Sequence, residues 1–408
     1  MQCGLLGRKL SHSYSPQIHG MLSDYSYGLF ETEPESLADF LQSSDFTGLN
    51  VTIPYKKAVI QYCDTLSDCA AALGAVNTLV RRDGKLIGHN TDYYGFKSMV
   101  EKCGVSVNGK KALVLGSGGA SATVKKVLED MGAFVIVISR TGPNHYGNLH
   151  LHTDAQVIVN ATPVGMYPDV DACPIDISIF DKLECVLDLI YNPANTRLLQ
   201  SAQARNIPCE NGLWMLVAQA KESAEWFTGQ KIPDEMIGKI YRAIRAQMEN
   251  IVLIGMPGCG KSTVGKELAA KLGKHFIDTD EEIERKAQMS IPEIFASHGE
   301  AYFRQLETEA IACISKQPCA VIATGGGCVT QPENYPHLHQ NSTIIWLQRD
   351  LSFLPTEGRP LSQSNRLESL LAVRAPLYAN FSDIRIDNNG SSENTIKHIL
   401  NHLQEEYQ

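Results

Sequence analysis

A chain of 408 residues is long enough for two or three domains, each with its own core. With 43% hydrophobic and 20% charged residues it reads as an ordinary globular protein, which excludes a disordered or fibrous chain. A net charge of -9 excludes a general basic footprint for nucleic acid, so anionic ligands must be held by local Lys and Arg against the overall field. Eleven cysteines are scattered from Cys3 to Cys328 without a C-x-x-C pair, which points to reduced thiols rather than a zinc site or a disulfide framework. No apolar run is long enough to span a bilayer and no signal peptide is evident, so the expectation is a cytoplasmic protein without membrane or nucleic-acid partners.

Short apolar runs alternate with helical patterns throughout, the signature of an α/β chain. The first motif is GLLGRKLSHSYSPQIH, from Gly4 to His19. Ser13 and Ser15 stand just before Pro16, where a helix should begin, so two hydroxyls and a helix N-terminus face one spot. GLNVTIPYKKAV puts Thr52 and Lys56 on either side of Pro54, between a strand and a helix. GAVNTLV puts Asn77 in a strand, and GHNTDYYGF puts Asn90, Thr91 and Asp92 at a turn. Singly these are a capping serine loop, a solvated lysine and a helix cap.

Together, in this order, S-x-S-P, N-V-T-x-P-x-K, G-A-V-N-T and N-T-D resemble the substrate domain of the shikimate dehydrogenase family. The resemblance implies that Ser13 and Ser15 hold a substrate carboxylate, and that Thr52, Asn77 and Asp92 bind ring hydroxyls. Lys56 and Asp92 become the catalytic pair. The chemistry agrees: reducing a ketone by hydride transfer needs a proton donor where the alkoxide forms. An opposite charge favours the ammonium form of a lysine. Which member of the pair transfers the proton is open at this point.

From Lys110 to Gly132 the chain reads strand, Gly-rich turn, helix, with Gly116, Ser117, Gly118, Gly119 and Ala120 in the turn. That context suits a dinucleotide. The next strand ends in Ser139, Arg140 and Thr141, and an Arg there suits the 2′-phosphate of NADP better than NAD. The same resemblance runs on through VIVNATPVGMYP, VLDLIYNPANTRLL and ENGLWMLVAQA. It implies Leu189 and Gly212 near the nicotinamide, with Tyr191 and Gln219 facing substrate. Two departures stand out. The interval from Arg140 to Asn160 is shorter than the family norm by roughly a helix and a strand, and Trp214 stands where Gly is common. The resemblance covers residues 1–247.

An amphipathic stretch, DEMIGKIYRAIRAQMEN, then runs without a flexible linker into IVLIGMPGCGKSTVGKELAAKLG. Here a strand breaks into a Gly-rich turn and a helix with Val264, Leu268 and Leu272 on one face. Gly255, Gly260, Lys261 and Ser262 fill the fixed positions of a phosphate-cradling loop, with Gly258, Cys259 and Thr263 completing the contact set. Lys261 would reach the β and γ phosphates of ATP, and Ser262 would ligate Mg2+. Downstream, Asp278 and Asp280 end a second strand, Arg304 and Glu307 lie one helical turn apart, and Gly325 to Gly327 end a third. Arg359 and Arg374 follow.

The set D-T-D, F-R-x-x-E, G-G-G, R-P-L and R-x-P-L-Y behind such a loop resembles the shikimate kinase family. The resemblance implies that Asp280 contacts the attacking hydroxyl, that Arg304, Arg374 and Gly326 bind shikimate, that Asp278 supports Mg2+ through water, and that Arg359 closes over the phosphates. The interval between Arg359 and Arg374 is a few residues shorter than usual.

The expected organisation is therefore residues 1–248 as a dehydrogenase and 249–408 as a kinase of the P-loop, nucleoside-monophosphate-kinase-like class. Within the first, a substrate part takes about 1–96 and 213–248, and a Rossmann NADP part about 97–212. The expected activity is NADPH-dependent reduction of 3-dehydroshikimate to shikimate, followed by MgATP-dependent phosphorylation of shikimate. Competing readings make the dehydrogenase half a sensor or scaffold, or give it quinate. Oligomeric state is not legible in the sequence.

Overall fold

The computed structural model describes residues 2–10, 13–43, 45–354 and 364–406. Its contacts divide into two compact units, Met1–Tyr191 with Leu198–Ile244, and Asn192–Arg197 with Arg245–Gln408.

The first unit holds two sheets. One is built from β1 (Gln2–Gly7), β2 (Ser26–Glu31), β3 (Gly48–Val51), β4 (Thr65–Leu66), β5 (Thr78–Arg82) and β6 (Lys85–His89), in the order β2-β1-β3-β5-β6-β4. β1 runs parallel to β2 and β3, while β5 is antiparallel to both β3 and β6. Leu6, Leu49, Val51 and Leu79 form its core with Tyr55 and Val59. The other sheet is wholly parallel, with β7 (Lys111–Leu115), β8 (Phe134–Ile138), β9 (Val157–Asn160), β10 (Cys185–Asp188) and β11 (Cys209–Asn211) in the order β11-β10-β9-β7-β8.

Alternation along its strands fills both faces. Ala112, Val114, Val157, Val159 and Leu187 pack on Phe96, Val124 and Leu128 on one side. Leu113, Leu115, Ile158 and Val186 pack on Phe180, Leu198 and Leu199 on the other. Two helices, Asp92–Cys103 and Leu213–Thr228, carry the chain between the two sheets and lie against each other.

The short interval after Arg140 has a structural counterpart. β8 is the edge of its sheet, and a 3-10 segment kinked at Asn148, Tyr146–His152, leads to β9. The segment is capped by His145, whose Nδ1 accepts from the Gly147 amide at 3.1 Å while its own amide donates to Asn148 Oδ1 at 2.8 Å.

The second unit is one parallel sheet of β12 (Asn250–Ile254), β13 (His275–Asp278), β14 (Ala320–Ala323), β15 (Ser342–Gln348) and β16 (Ile384–Asp387), in the order β13-β14-β12-β15-β16. Central β12 is fully buried and feeds the phosphate loop and the helix Lys261–Leu272, of which Val264 and Leu268 enter the core. The helix Ile291–Ile314 begins with a capping box between Ser290 and Glu293 and kinks at Gly299, where φ is +80°.

Candidate active sites

In the first unit, the ends of β3 and β5 and the start of the helix Asp92–Cys103 converge. Lys56 Nζ donates to Asp92 Oδ2 at 2.6 Å, and Asn77 Nδ2 donates to Asp92 Oδ1 at 2.9 Å. Both carboxylate oxygens thus accept N–H bonds, one from Lys56 and one from Asn77. Asn77 is itself held: its Oδ1 accepts from the Thr91 amide at 2.7 Å. The Thr91 hydroxyl reaches Gln219 Oε1 at 3.3 Å, which brings Gln219 into the same group. Ser13 Oγ accepts from the Ser15 amide at 3.2 Å, and Ser15, though nearly buried, opens the helix Ser15–Leu22. Thr52 sits at the end of β3, where its amide donates to Leu6 O at 2.9 Å. Tyr191, beyond β10, sets its ring edge-on to Tyr14 between the two serines, at 6.4 Å.

The dinucleotide turn follows β7. Gly116 has φ +103°, and a Cβ there would come within 2.8 Å of Thr162 Cγ2, so only Gly serves. A Cβ at Gly118 or Gly119 would meet no protein atom within 4 Å, leaving the backbone at the start of the helix Gly119–Asp130 open to a ligand. Ser117 and Ala120 are exposed beside them. At the end of β8, Ser139 Oγ donates to Thr141 O and Arg140 is exposed. Leu189 and Gly212 are brought into direct backbone contact: a Cβ on Gly212 would lie 2.0 Å from Leu189 O. Trp214 is taken up between helices, with Nε1 donating to Ser98 Oγ at 2.9 Å and its ring edge-on to Tyr241.

In the second unit a cavity of ≈ 510 Å³ opens over the phosphate loop and is lined by Gly258, Gly260, Lys261, Ser262, Thr263, Asp278, Asp280, Arg304, Gly326 and Arg374, among others. Gly255, Gly258 and Gly260 all take positive φ, the left-handed backbone that glycine adopts at no steric cost. Cys259 is buried, so it can offer a ligand only its backbone. Lys261 Nζ donates to Gly255 O at 2.9 Å and Met256 O at 3.0 Å. Ser262 Oγ donates to Asp278 Oδ2 at 2.6 Å, while Asp278 Oδ1 accepts from the Asp280 amide at 3.0 Å.

Asp280 Oδ1 is buried without a hydrogen-bond partner, and burial followed by the Asp278 charge pushes its carboxyl up. Arg304 donates to Glu307 Oε2 at 2.7 Å and to Glu300 Oε1 at 3.1 Å. Arg374 Nη1 donates to Gly326 O at 3.0 Å, and the Tyr378 hydroxyl donates to the same carbonyl. A Cβ on Gly327 would fall 2.3 Å from Arg304 Nη2, which explains the third glycine of the run. Arg359 lies outside the described residues.

A family model described as shikimate dehydrogenase substrate binding domain matches residues 5–79, and one described as shikimate kinase matches residues 257–404. A shikimate dehydrogenase (NADP(+)) of Clostridium perfringens is 34% identical over 266 residues, spanning 60% of this chain and 98% of that protein. The chain belongs to the shikimate dehydrogenase family. Its dehydrogenase domain is followed by a fused shikimate kinase domain. Among solved structures, a chorismate mutase/shikimate 5-dehydrogenase fusion protein from Clostridium acetobutylicum matches with a TM-score of 0.57 at 35% identity, covering 60% of this chain and 96% of that one. The shikimate 5-dehydrogenase of Thermus thermophilus, solved in complex with NADP(H) and shikimate, matches with a TM-score of 0.55 at 31% identity, covering 60% of this chain and 99% of that one.

In the dehydrogenase domain Lys56, Asn77 and Asp92 are linked through hydrogen bonds, and Gln219 Oε1 lies 3.3 Å from the Thr91 hydroxyl beside them. Sequence reasoning passed over Asn50 and Thr78, whose side chains are buried beside Asn77. Their signal was available: both neighbour motif residues and are polar at strand positions. In the kinase domain Tyr378, the last residue of the R-x-P-L-Y motif, was given no role, and its OH shares the Gly326 carbonyl with Arg374. No helix among the described residues is long and apolar enough to cross a membrane.

Proposed function

We propose that this chain catalyses two consecutive reactions on one cyclohexene carboxylate: NADPH-dependent reduction of 3-dehydroshikimate to shikimate, and ATP-dependent phosphorylation of shikimate. The supporting observation is that two domains whose families share shikimate occur in one chain, with Lys56 bonded to Asp92 in the first and a cavity over the phosphate loop in the second.

In the reductase, NADPH supplies the hydride when bound. Gly116 to Ala120 take its phosphates, Ser139 to Thr141 its adenosine end, with Arg140 at the 2′-phosphate, and Leu189 and Gly212 frame the nicotinamide. Ser13 and Ser15 grip the substrate carboxylate, while Thr52, Asn77, Tyr191 and Gln219 bind its ring oxygens. Lys56 gives its proton to the oxygen that becomes the alkoxide, and Asp92, held by Asn77, keeps the ammonium aimed there.

In the kinase, Gly258 to Thr263 cradle the phosphates and Lys261 swings from its loop carbonyls to them. The oxygen donors of Ser262 and Asp278 fit Mg2+, which would neutralise phosphate charge. Arg304 and Arg374 hold the shikimate carboxylate beside Gly326. The partnerless oxygen of Asp280 accepts the hydroxyl proton, and Arg359 completes the charge over the phosphates. A coupled assay with 3-dehydroshikimate, NADPH and MgATP, omitting each in turn, tests this: shikimate accumulates without ATP, and nothing forms without NADPH. NADPH consumption that is absent with 3-dehydroshikimate but present with the 3-keto form of a quinate-type acid would overturn the reductase assignment.

A further inference from the structure

Below the catalytic group lies a closed cluster of hydroxyls and amides centred on Ser223, a residue with 0% exposure on the helix Leu213–Thr228. Its Oγ has four neighbours drawn from four stretches of chain: Asn50 Nδ2 at 2.7 Å, Thr91 Oγ1 at 2.9 Å, Gln219 O at 2.9 Å and Thr78 Oγ1 at 3.0 Å. A hydroxyl has one proton and two lone pairs. The Ser223 proton goes to the Gln219 carbonyl one helical turn back, and one lone pair takes the Asn50 amide. With Thr78 donating to Asn77 Oδ1 at 3.0 Å, the second lone pair can take Thr91, which at 2.9 Å lies nearer to Ser223 than Thr78 does at 3.0 Å.

Distance favours Ser223, at 2.9 Å, as the acceptor of the Thr91 proton. Its other acceptors are Asn77 Oδ1 at 3.2 Å, already within reach of the Thr91 amide and Thr78, and, both farther away at 3.3 Å, Thr78 Oγ1 and Gln219 Oε1. We propose that Ser223 is a positioning residue of the dehydrogenase: by accepting the Thr91 proton it leaves the Gln219 carboxamide oxygen free for a substrate hydroxyl, and it pins Thr91, the cap of the helix that begins with Asp92. One hydroxyl thereby ties together the two helices that run between the sheets, one carrying the catalytic carboxylate and the other the substrate-binding amide. This rests on the dehydrogenase reading above, and the test separates the two.

Shikimate oxidation by NADP+ is measured for the full chain and for Ser223→Ala, with Ser223→Thr as the conservative partner and Ser223→Cys as a same-size variant should Ala not fold. The expected result is a rise in KM for shikimate and a fall in kcat, together on the order of tenfold in kcat/KM as for loss of one buried hydrogen bond. The KM for NADP+ stays unchanged and Thr restores turnover. A merely structural serine would lower the melting temperature and leave the ratio of the two KM values where it was. A folded Ser223→Ala with wild-type kcat and KM for shikimate overturns the assignment.

Turnover by the unaltered chain tests the functional reading by itself. If that turnover is missing, hydrogen exchange still decides the positioning role, because the Thr91 amide, bonded to Asn77 Oδ1 at 2.7 Å, must exchange faster in Ser223→Ala. Unchanged exchange at that amide overturns the proposal.

Discussion

Gly212→Ala tests the proposal that Leu189 and Gly212 frame the nicotinamide. The residue caps the helix Leu213–Thr228 at φ -71° and ψ -6°, a conformation alanine adopts freely, so any effect comes from space alone. The added Cβ would stand 2.0 Å from Leu189 O and 2.5 Å from Leu189 C. A carbon and a carbonyl oxygen settle at about 3.3 Å, so the end of β10 and the helix start must part by about 1.3 Å (3.3 minus 2.0). Both are pinned: the Gly212 amide donates to Ile190 O at 3.0 Å and the Leu189 amide to Asn160 O at 3.0 Å.

Overpacking of this kind costs about 1–3 kcal/mol, which leaves the domain folded. A displacement of about 1 Å at the hydride-transfer geometry costs about 100-fold in rate. Reduction of NADP+ by shikimate, followed through NADPH absorbance, should therefore lose about 100-fold in kcat/KM. Phosphorylation of shikimate by the same preparation should be unchanged. A variant within about threefold of wild type, with its KM for NADP+ intact, would mean that Leu189 and Gly212 do not frame the nicotinamide.

Three further outcomes follow from the two sites. Lys56→Ala should lower reductase kcat by about 10³-fold and spare phosphorylation, and Lys261→Ala should do the reverse; either change abolishing both activities in a folded chain refutes the two-site arrangement. Asp280→Asn should abolish phosphorylation yet raise the melting temperature of the kinase unit at neutral pH. Burial holds the Asp280 carboxyl above its ordinary range, so the folded state carries an ill-solvated charge there. The gain should shrink as pH falls through the folded-state value and vanish below the unfolded one, where both states are protonated; a gain independent of pH contradicts the burial argument.

His19 is fully buried and burial pulls its imidazole down to about 3. The unfolded chain therefore takes up a proton that the folded one refuses. Its contribution is intact above pH about 6.5 and drains away below, by about 1.4 kcal/mol between pH about 7.5 and about 5.5. Denaturant titrations of the chain and of His19→Phe should differ by that amount in pH dependence, and parallel curves would refute the buried neutral ring.

Much of both sites was legible because their parts are local. A strand that breaks into Gly255-to-Gly260 and resumes as a helix sets the direction of every amide in the turn, and no distant residue is needed for that. The same holds for Gly116 to Gly119 and for Ser15 at a helix start. The glycines of the Gly325-to-Gly327 run were readable as residues allowing close approach, but what approaches them was not. It is Arg304, Glu307, Asp280 and Pro257, brought in from other elements.

By itself the sequence determined the phosphate cradle, since short-range backbone preference and spacing carry that information, while the pairing of a proton donor with a carboxylate came only as what the family resemblance implied. Lys56 and Asp92, however, are 36 positions apart, and Thr78 and Ser223 are 145 apart. Only the tertiary structure decided that these pairs meet. Hydrogen bonds act over about 3 Å, and their partners are chosen by how sheets and helices pack rather than by any pattern along the chain.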